Sequence, residues 1–91
     1  MHIYKRKNKK AKAMERTEIL KQVNDIFKET LDNEDILLEN ETTANDIDEW
    51  DSLSHIHLVV EIEKHFNIRF TSKEIQSWNN VGELIDCIES K

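Results

Sequence analysis

Four consecutive residues, Trp50-Asp51-Ser52-Leu53, place the hydroxyl group of Ser52 at the expected start of a helix. Asp51 stands immediately before a long apolar-rich segment, and an aspartate there is well suited to accept hydrogen bonds from the first amides of a helix. The N-terminus of such a helix presents unpaired amides and a partial positive charge, which favour a bound phosphate. Taken alone, the pattern indicates a capped helix start and is only a weak signal of a chemical site.

The other reactive side chains do not form a catalytic constellation. His55 and His57 are two positions apart, so on a helix they lie on nearly opposite faces. His57, Glu61 and His65 would share one stripe, and a weak surface metal site there is the alternative to a solvated helix face. Cys87 is expected to be a small packing residue. The chain also lacks a Gly-rich phosphate-binding loop. We therefore expect no enzyme and no metal site.

Apolar periodicity predicts two long helices in the first two thirds of the chain. Residues 18–31 carry their apolar side chains on one face, as a core-facing helix does. Residues 52–66 carry them around most of the circumference, which predicts a helix buried on most sides at the centre of a bundle. Its apolar residues are Leu53, Ile56, Leu58, Val59, Val60, Ile62 and Phe66.

The two helices are separated by a long acidic connection, residues 32–51. Connections of this length are uncommon in small domains unless they are functional or locally ordered. We expect the loop to lie against the helices, pinned by Ile36-Leu37-Leu38, Ile47 and Trp50.

Two further helix starts follow. Thr71-x-x-Glu74 is a capping box that predicts a short helix through about Ser77. Asn80, with Glu83 three residues later, predicts a last helix through about Ser90. The sequence thus predicts an all-α fold with three longer helices and one short helix.

Charge is unevenly distributed along the 91 residues. Residues 1–16 hold seven Lys or Arg and one Glu, a balance of +6, whereas residues 17–91 hold six Lys or Arg and eighteen Asp or Glu, a balance of −12. We expect a disordered basic tail followed by one acidic domain. The domain should repel nucleic acids and anionic membranes and should favour basic partner surfaces. Nucleic-acid binding by the basic tail is a weaker alternative.

The number of cysteines bears on the cellular compartment in which the protein is expected. Cys87 is the only cysteine, so no intramolecular disulfide can form. No apolar run approaches the roughly 20 residues of a membrane span, and none resembles a secretory signal. A cytoplasmic protein without a membrane span is the expectation.

The segment from Trp50 to Ile88 reads WDSLSHIHLVVEIEKHFNIRFTSKEIQSWNNVGELIDCI. It resembles the acyl carrier protein family, in which an Asp-Ser-Leu motif opens the central helix, as Asp51-Ser52-Leu53 does here. A run similar to Val-Val-Glu-Ile-Glu-Lys-His-Phe follows in the family, and Val59 through Phe66 matches it. The resemblance covers about residues 17–91. It implies a four-helix acyl-carrier-like bundle with a long loop between the first and second helices.

The resemblance also implies a function. Ser52 would be the attachment site of phosphopantetheine, which a separate phosphopantetheinyl transferase takes from coenzyme A with the help of magnesium. The thiol of this arm would hold an acyl or aminoacyl cargo as a thioester. Asp51 would cap the helix and contribute to recognition by the transferase, and Leu53 would be a partly exposed contact for partners. The protein would be a monomeric carrier, served by a cargo-loading ligase or acyltransferase and by downstream biosynthetic enzymes.

The polar stripe of the second helix departs from the family pattern. Carriers for fatty-acid synthesis usually have acidic residues where Ser54 and His57 stand. We expect Ser54, His57, Glu61 and Lys64 to face outward and to be recognised by partners. Their composition indicates a specialised stand-alone carrier, of the kind that serves polyketide, nonribosomal peptide, surface-polysaccharide or alanylation pathways. The alternative is an unmodified protein-interaction module on the same fold.

Overall fold

The computed structural model describes residues 15–91, and this part of the chain contains four α-helices and no β-strand. The helices are α1 (Arg16–Leu31), α2 (Ser52–Phe66), α3 (Ser72–Ser77) and α4 (Val81–Glu89), and one turn of 3-10 helix (Ala44–Asp46) lies in the loop after α1. The predicted all-α fold, with three longer helices and one short helix, is confirmed. None of the described helices is both long and apolar enough to cross a membrane.

The helix starts follow from local sequence. Asp51, Thr71 and Asn80 cap α2, α3 and α4, and each side chain accepts a hydrogen bond from the backbone N–H three residues later. The helix ends are equally local. Asp32 after α1 and Asn67 after α2 adopt left-handed backbone conformations, which bend the chain away from the helix axis. The predicted bounds of α2 are confirmed.

The core lies between α1, α2 and α4. α1 packs against both other helices. The predicted apolar face of the first helix is confirmed, because nearly all its members are buried and Leu20 is half-buried. The buried side chains from these helices are Ile19, Val23, Ile26, Phe27, Leu31, Leu58, Val59, Ile62, Val81, Leu84, Ile85 and Ile88.

The prediction that α2 is buried on most sides is wrong. Only one face of the helix enters the core, through Leu58, Val59 and Ile62. Another face stays in solvent, because α3 has only six residues, about 9 Å of helix, and none of them is buried. This short helix does not cover the apolar residues opposite the core. The exposed fractions are 82% for Leu53, 55% for Ile56 and 43% for Val60.

The long loop is held against α1 by apolar contacts and by one amide side chain. Ile36, Leu38 and Ile47 are buried, as predicted, but Leu37 is 79% exposed, so its expected anchoring role is wrong. Burial thus alternates along this segment, with the exposed Leu37 between the buried Ile36 and Leu38. Asn24 of α1 accepts a hydrogen bond from the Leu38 amide at 2.6 Å and donates one to the Ile36 carbonyl oxygen at 3.2 Å.

The loop also crosses the start of α4. The Gly82 amide donates to the Asn40 carbonyl oxygen at 2.8 Å, and the Val81 amide donates to the Thr42 carbonyl oxygen at 2.9 Å. Arg16 donates to the Gly82 carbonyl oxygen at 3.0 Å and pairs with Asp86 at 2.6 Å. The first two contacts fix the loop to the start of α4, and the Arg16 contacts fix the start of α1 to the same helix.

Arg16, the last residue of the predicted tail, begins α1 and contacts α4. The predicted first residue of that helix, residue 18, is two positions late. The rest of the predicted basic tail, residues 1–14, lies outside the described residues.

Candidate functional site

Ser52 occupies the first position of α2, and its side chain is exposed. Within residues 15–91, the structure shows no hydrogen bond from the Ser52 hydroxyl. A hydroxyl at this place stands beside the unpaired amides of the helix N-terminus. Its oxygen is therefore accessible to an external reactant.

The neighbouring serine is used differently. The Ser54 hydroxyl accepts a hydrogen bond from the Asp51 amide at 2.8 Å and donates one to the Glu49 carbonyl oxygen at 2.8 Å. In return the Asp51 carboxylate accepts from the Ser54 amide at 2.9 Å. These reciprocal bonds form a capping box, and the Ser54 side chain, which was expected to face outward, is half-buried and occupied in the cap.

The same cap changes the acidity of Asp51. The hydrogen bond from the Ser54 amide stabilises the carboxylate and holds the pKa of Asp51 below its usual 3.8. The negative charge next to Ser52 is thereby retained in mildly acidic solution. The predicted capping role of Asp51 is confirmed.

A groove of about 650 Å³ opens beside Ser52, between α2 and the segment that contains α3. This volume falls within the range of small-molecule sites, roughly 300–1,000 Å³. Its lining combines two tryptophans, a histidine, aliphatic side chains and several amide or hydroxyl groups. The lining residues are Ala44, Trp50, Asp51, Ser52, His55, Ile56, Ser72, Ile75, Gln76, Trp78, Asn79, Asn80 and Leu84.

His55 forms part of the inner wall of this groove. The Trp50 indole N–H donates to His55 Nδ1 at 3.1 Å, and His55 Nε2 lies 3.3 Å from the Ile75 carbonyl oxygen. The imidazole stacks on Trp50, with ring centroids 6.0 Å apart, and meets the edge of Trp78 at 5.9 Å. The sequence did not indicate this role, because two of the contacts join α2 to Ile75 and Trp78, which are 20 and 23 positions away.

The outer face of α2 carries two neighbouring strips. The apolar strip consists of Leu53, Ile56 and Val60, which follow the helical spacing of three and four residues. The polar strip includes His57, Glu61 and Lys64. Glu61 lies 3.7 Å from His57 and 3.8 Å from Lys64, so its charge faces two basic groups.

The metal-site alternative is not supported by the geometry. His65 Nε2 lies 2.7 Å from the Gln22 side-chain oxygen of α1, whereas His57 lies next to Glu61. Within residues 15–91, no group of three or more His, Cys, Asp or Glu side chains is arranged to hold a metal ion. Cys87 is half-buried, and burial raises the pKa of its thiol above the usual 9.0, which disfavours a reactive thiolate.

Comparisons with known proteins agree with this geometry. A family model described as "Phosphopantetheine attachment site" matches residues 45–88. The acyl carrier protein of Coprothermobacter proteolyticus is 32% identical over 79 residues, which cover 85% of this chain and 94% of that protein. The solved structure of a holo acyl carrier protein from Geobacter metallireducens is similar, with a TM-score of 0.76 and 45% identity. That match covers 80% of this chain and 84% of the other.

The similarity to both relatives extends over most of the chain, and the matched family segment contains the start of α2. The chain belongs to the acyl carrier protein family, so it is a carrier protein rather than an enzyme and bears a phosphopantetheine prosthetic group.

Proposed function

We propose that Ser52 is the attachment site of phosphopantetheine and that the protein delivers an acyl or aminoacyl cargo to the enzymes of a specialised biosynthetic pathway. The observation that carries the proposal is the exposed Ser52 hydroxyl at the N-terminus of α2, at the mouth of the groove. Ser54 is two residues away, but its hydroxyl is occupied in the cap.

The surroundings of Ser52 fit a phosphodiester followed by a slender arm. The N-terminus of α2 favours a negative charge, and the groove offers a surface along which the arm can lie. When bound, the group supplies a thiol that holds the cargo as an activated thioester. The chain's own residues position the attachment point, since Ser52 belongs to a helix anchored in the core by Leu58 and Ile62.

Attachment requires a separate transferase with coenzyme A and magnesium. The Ser52 oxygen forms a bond to the phosphorus that bears pantetheine, the pyrophosphate bond of coenzyme A breaks, adenosine bisphosphate leaves, and the hydroxyl proton is released. The described residues around Ser52 include no histidine or lysine placed to take this proton, because both His55 nitrogens are engaged. The transferase therefore supplies the base, and Asp51 contributes to its recognition.

The outer face of α2 is the proposed surface for partner enzymes. Leu53 offers an apolar contact, and His57, Glu61 and Lys64 offer a polar strip that is not uniformly acidic. Because Glu61 is flanked by two basic groups within 4 Å, a partner with only basic side chains would meet repulsion as well as attraction. This argues for a dedicated partner set rather than the enzymes of general fatty-acid synthesis. Ser54 would contribute only through the helix cap.

The proposal also covers the extent of the carrier domain and the order in which enzymes bind it. We propose that the segment from residue 17 onward, extended by Arg16, is the carrier domain and acts as a monomer. A cargo-loading ligase or acyltransferase and the downstream enzymes would engage it in turn. Because the start of α2 is a single small surface, only one enzyme at a time would reach Ser52.

The experiment is a mass measurement after incubation with coenzyme A, magnesium and a promiscuous transferase. We expect a gain of one phosphopantetheine in the wild type and in Ser54→Ala, and none in Ser52→Ala. Ser54→Ala is the matched control, because it removes a hydroxyl two residues away. A gain that survives in Ser52→Ala would refute the assigned site. Protein isolated from its own cells without the modification would favour the alternative, an unmodified interaction module.

A further inference from the structure

α3 forms one wall of the groove beside Ser52, yet few apolar contacts anchor it. Ser72, Ile75 and Gln76 of this helix line the groove, and so does Trp78, the residue after its end. None of the six residues of α3 is buried. Helices shorter than about 12 residues are marginal by themselves in water. The position of α3 therefore depends on its contacts with neighbouring segments.

Lys91, which follows α4, reaches back to α3 and pairs with Glu74. The Lys91 Nζ atom donates to both carboxylate oxygens of Glu74, at 2.9 and 3.0 Å. The two side chains are 22% and 32% exposed, and every other ion pair found within residues 15–91 is more exposed. The same ammonium lies 5.7 Å from the centre of the Phe70 ring, within the roughly 6 Å of a cation–π contact. One cation thus contacts α3 itself and the buried residue that precedes its cap.

Glu74 belongs to the cap of α3 as well as to this ion pair. Its Oε1 atom accepts a hydrogen bond from the Thr71 amide at 2.8 Å, and the Thr71 hydroxyl accepts one from the Glu74 amide at 3.1 Å. The bond from the Thr71 amide, together with Lys91, holds the pKa of Glu74 below its usual 4.5. Because Lys91 donates to the same Oε1 atom, the cation restrains the carboxylate that caps the helix.

The Lys91 contact lies on a different side of α3 from the groove. Glu74 does not line the groove, and consecutive residues such as Glu74 and Ile75 are about 100° apart on a helix. On the groove side, His55 Nε2 of α2 lies 3.3 Å from the Ile75 carbonyl oxygen. Charge-assisted hydrogen bonds are roughly twice as strong as neutral ones. The contact with Lys91 is therefore the stronger of these two polar attachments.

We propose that Lys91 is a positioning residue for the groove: its contacts with Glu74 and Phe70 hold α3 in place, and their loss lets this wall move and opens the groove. The consequence for the carrier rests on the proposed attachment of the arm to Ser52 and on the course of that arm along the groove. When the groove opens more often, a thioester on the arm meets external nucleophiles more often. Lys91 does not line the groove and acts through α3.

The first measurement is amide hydrogen exchange in the unmodified protein. The Ile75 amide donates to the Thr71 carbonyl oxygen at 3.0 Å, so its exchange reports on the opening of α3. In Lys91→Met we expect this exchange to be about fivefold faster, the size expected for a partly shielded ion pair with a cation–π contact. The rate should not depend on urea below the unfolding transition, because opening of α3 alone exposes little surface. Lys91→Arg keeps the cation and should keep the wild-type rate.

Lys73→Met is the matched control, because Lys73 is an exposed lysine of α3 for which the structure shows no ion pair within residues 15–91. After correction for the local sequence, its Ile75 amide should exchange as in the wild type. At about 1 M sodium chloride the wild-type rate should approach that of Lys91→Met, since salt screens the pair. Equal rates in the wild type and Lys91→Met, or a rate that follows urea as global unfolding does, would overturn the proposal.

The second measurement is thioester cleavage by hydroxylamine after a promiscuous transferase has loaded a hexanoyl arm. Cleavage should be several-fold faster in Lys91→Met than in the wild type, Lys91→Arg and Lys73→Met, and equal in all four proteins once urea unfolds them. Faster exchange without faster cleavage would refute the role of Lys91 in the groove. If the transferase does not load the wild type, the proposed attachment site fails, whereas the exchange rates still decide whether Lys91 positions α3.

Discussion

The loop that leads to Ser52 depends on one amide side chain of α1, and this dependence can be measured. Asn24 accepts a hydrogen bond from the Leu38 amide at 2.6 Å and donates one to the Ile36 carbonyl oxygen at 3.2 Å. Both partners belong to residues whose side chains are buried. Asn24→Ala should therefore loosen the loop at its main polar anchor.

The expected magnitude follows from the two hydrogen bonds. Each contributes about 1 kcal/mol net, so Asn24→Ala should lower the free energy of unfolding by about 2 kcal/mol. A small domain has a total of roughly 5–15 kcal/mol, so the loss is a large share. Asn24→Asp keeps the acceptor for Leu38 but turns a charged oxygen toward the Ile36 carbonyl. We expect its loss to be at least as large.

Urea unfolding measures the global effect, and hydrogen exchange of the Leu38 amide measures the local one. A loss of about 2 kcal/mol corresponds to exchange roughly 30-fold faster. Asn45→Ala is the control, since Asn45 is an exposed asparagine of the same loop, and the structure shows no side-chain hydrogen bond from it to residues 15–91. The reasoning fails if the Leu38 amide of Asn24→Ala exchanges at the wild-type rate. It also fails if Asn24→Ala and the control Asn45→Ala lose equal stability.

Three further predictions concern the packing of α4, the cap of α2 and its exposed face. A Cβ atom at Gly82 would lie 3.0 Å from the Asn40 carbonyl oxygen, which already accepts a hydrogen bond from the Gly82 amide. Because this contact is too close, Gly82→Ala should lower the free energy of unfolding, measured by urea titration, by about 1–2 kcal/mol. Because the folded pKa of Asp51 is lowered, its contribution is full above 3.8 and is lost as the pH falls through the folded value. Between about pH 6 and about pH 3, the urea midpoint of the wild type should thus fall more than that of Asp51→Asn. Leu53→Ala should change the unfolding free energy by less than about 0.5 kcal/mol, whereas Leu58→Ala should cost about 3 kcal/mol; equal losses would contradict the one-sided burial of α2.

The helix starts could be predicted because their causes are local. A capping residue and the amides it satisfies lie within three positions of each other, so Asp51, Thr71 and Asn80 identify them without knowledge of the fold. The motif residue Ser52 belongs to the same local pattern. The start of α1 was predicted less well, because Glu15, the residue before it, makes no side-chain cap.

Burial of α2 could not be predicted from the same kind of pattern. An apolar side chain on a helix is buried only if another element reaches it, and the short α3 does not reach Ile56 or Val60. Apolar residues needed for contact with partners look the same in the sequence as apolar residues needed for the core. The roles of Asn24 and His55 were hidden for a related reason, since both depend on which segments meet in the fold.

The two serines at the start of α2 differ in hydrogen bonding: the Ser54 hydroxyl is bonded within the helix cap, and the Ser52 hydroxyl is exposed. A capping box requires a hydrogen-bonding side chain three positions after the capping residue, and Ser54 stands there. The residue directly after Asp51 is not part of this capping box, and its side chain is exposed. In this chain the second hydroxyl is therefore used for structure, and the first is left to solvent. The proposed selectivity of modification for Ser52 over Ser54 is explained by this difference in hydrogen bonding.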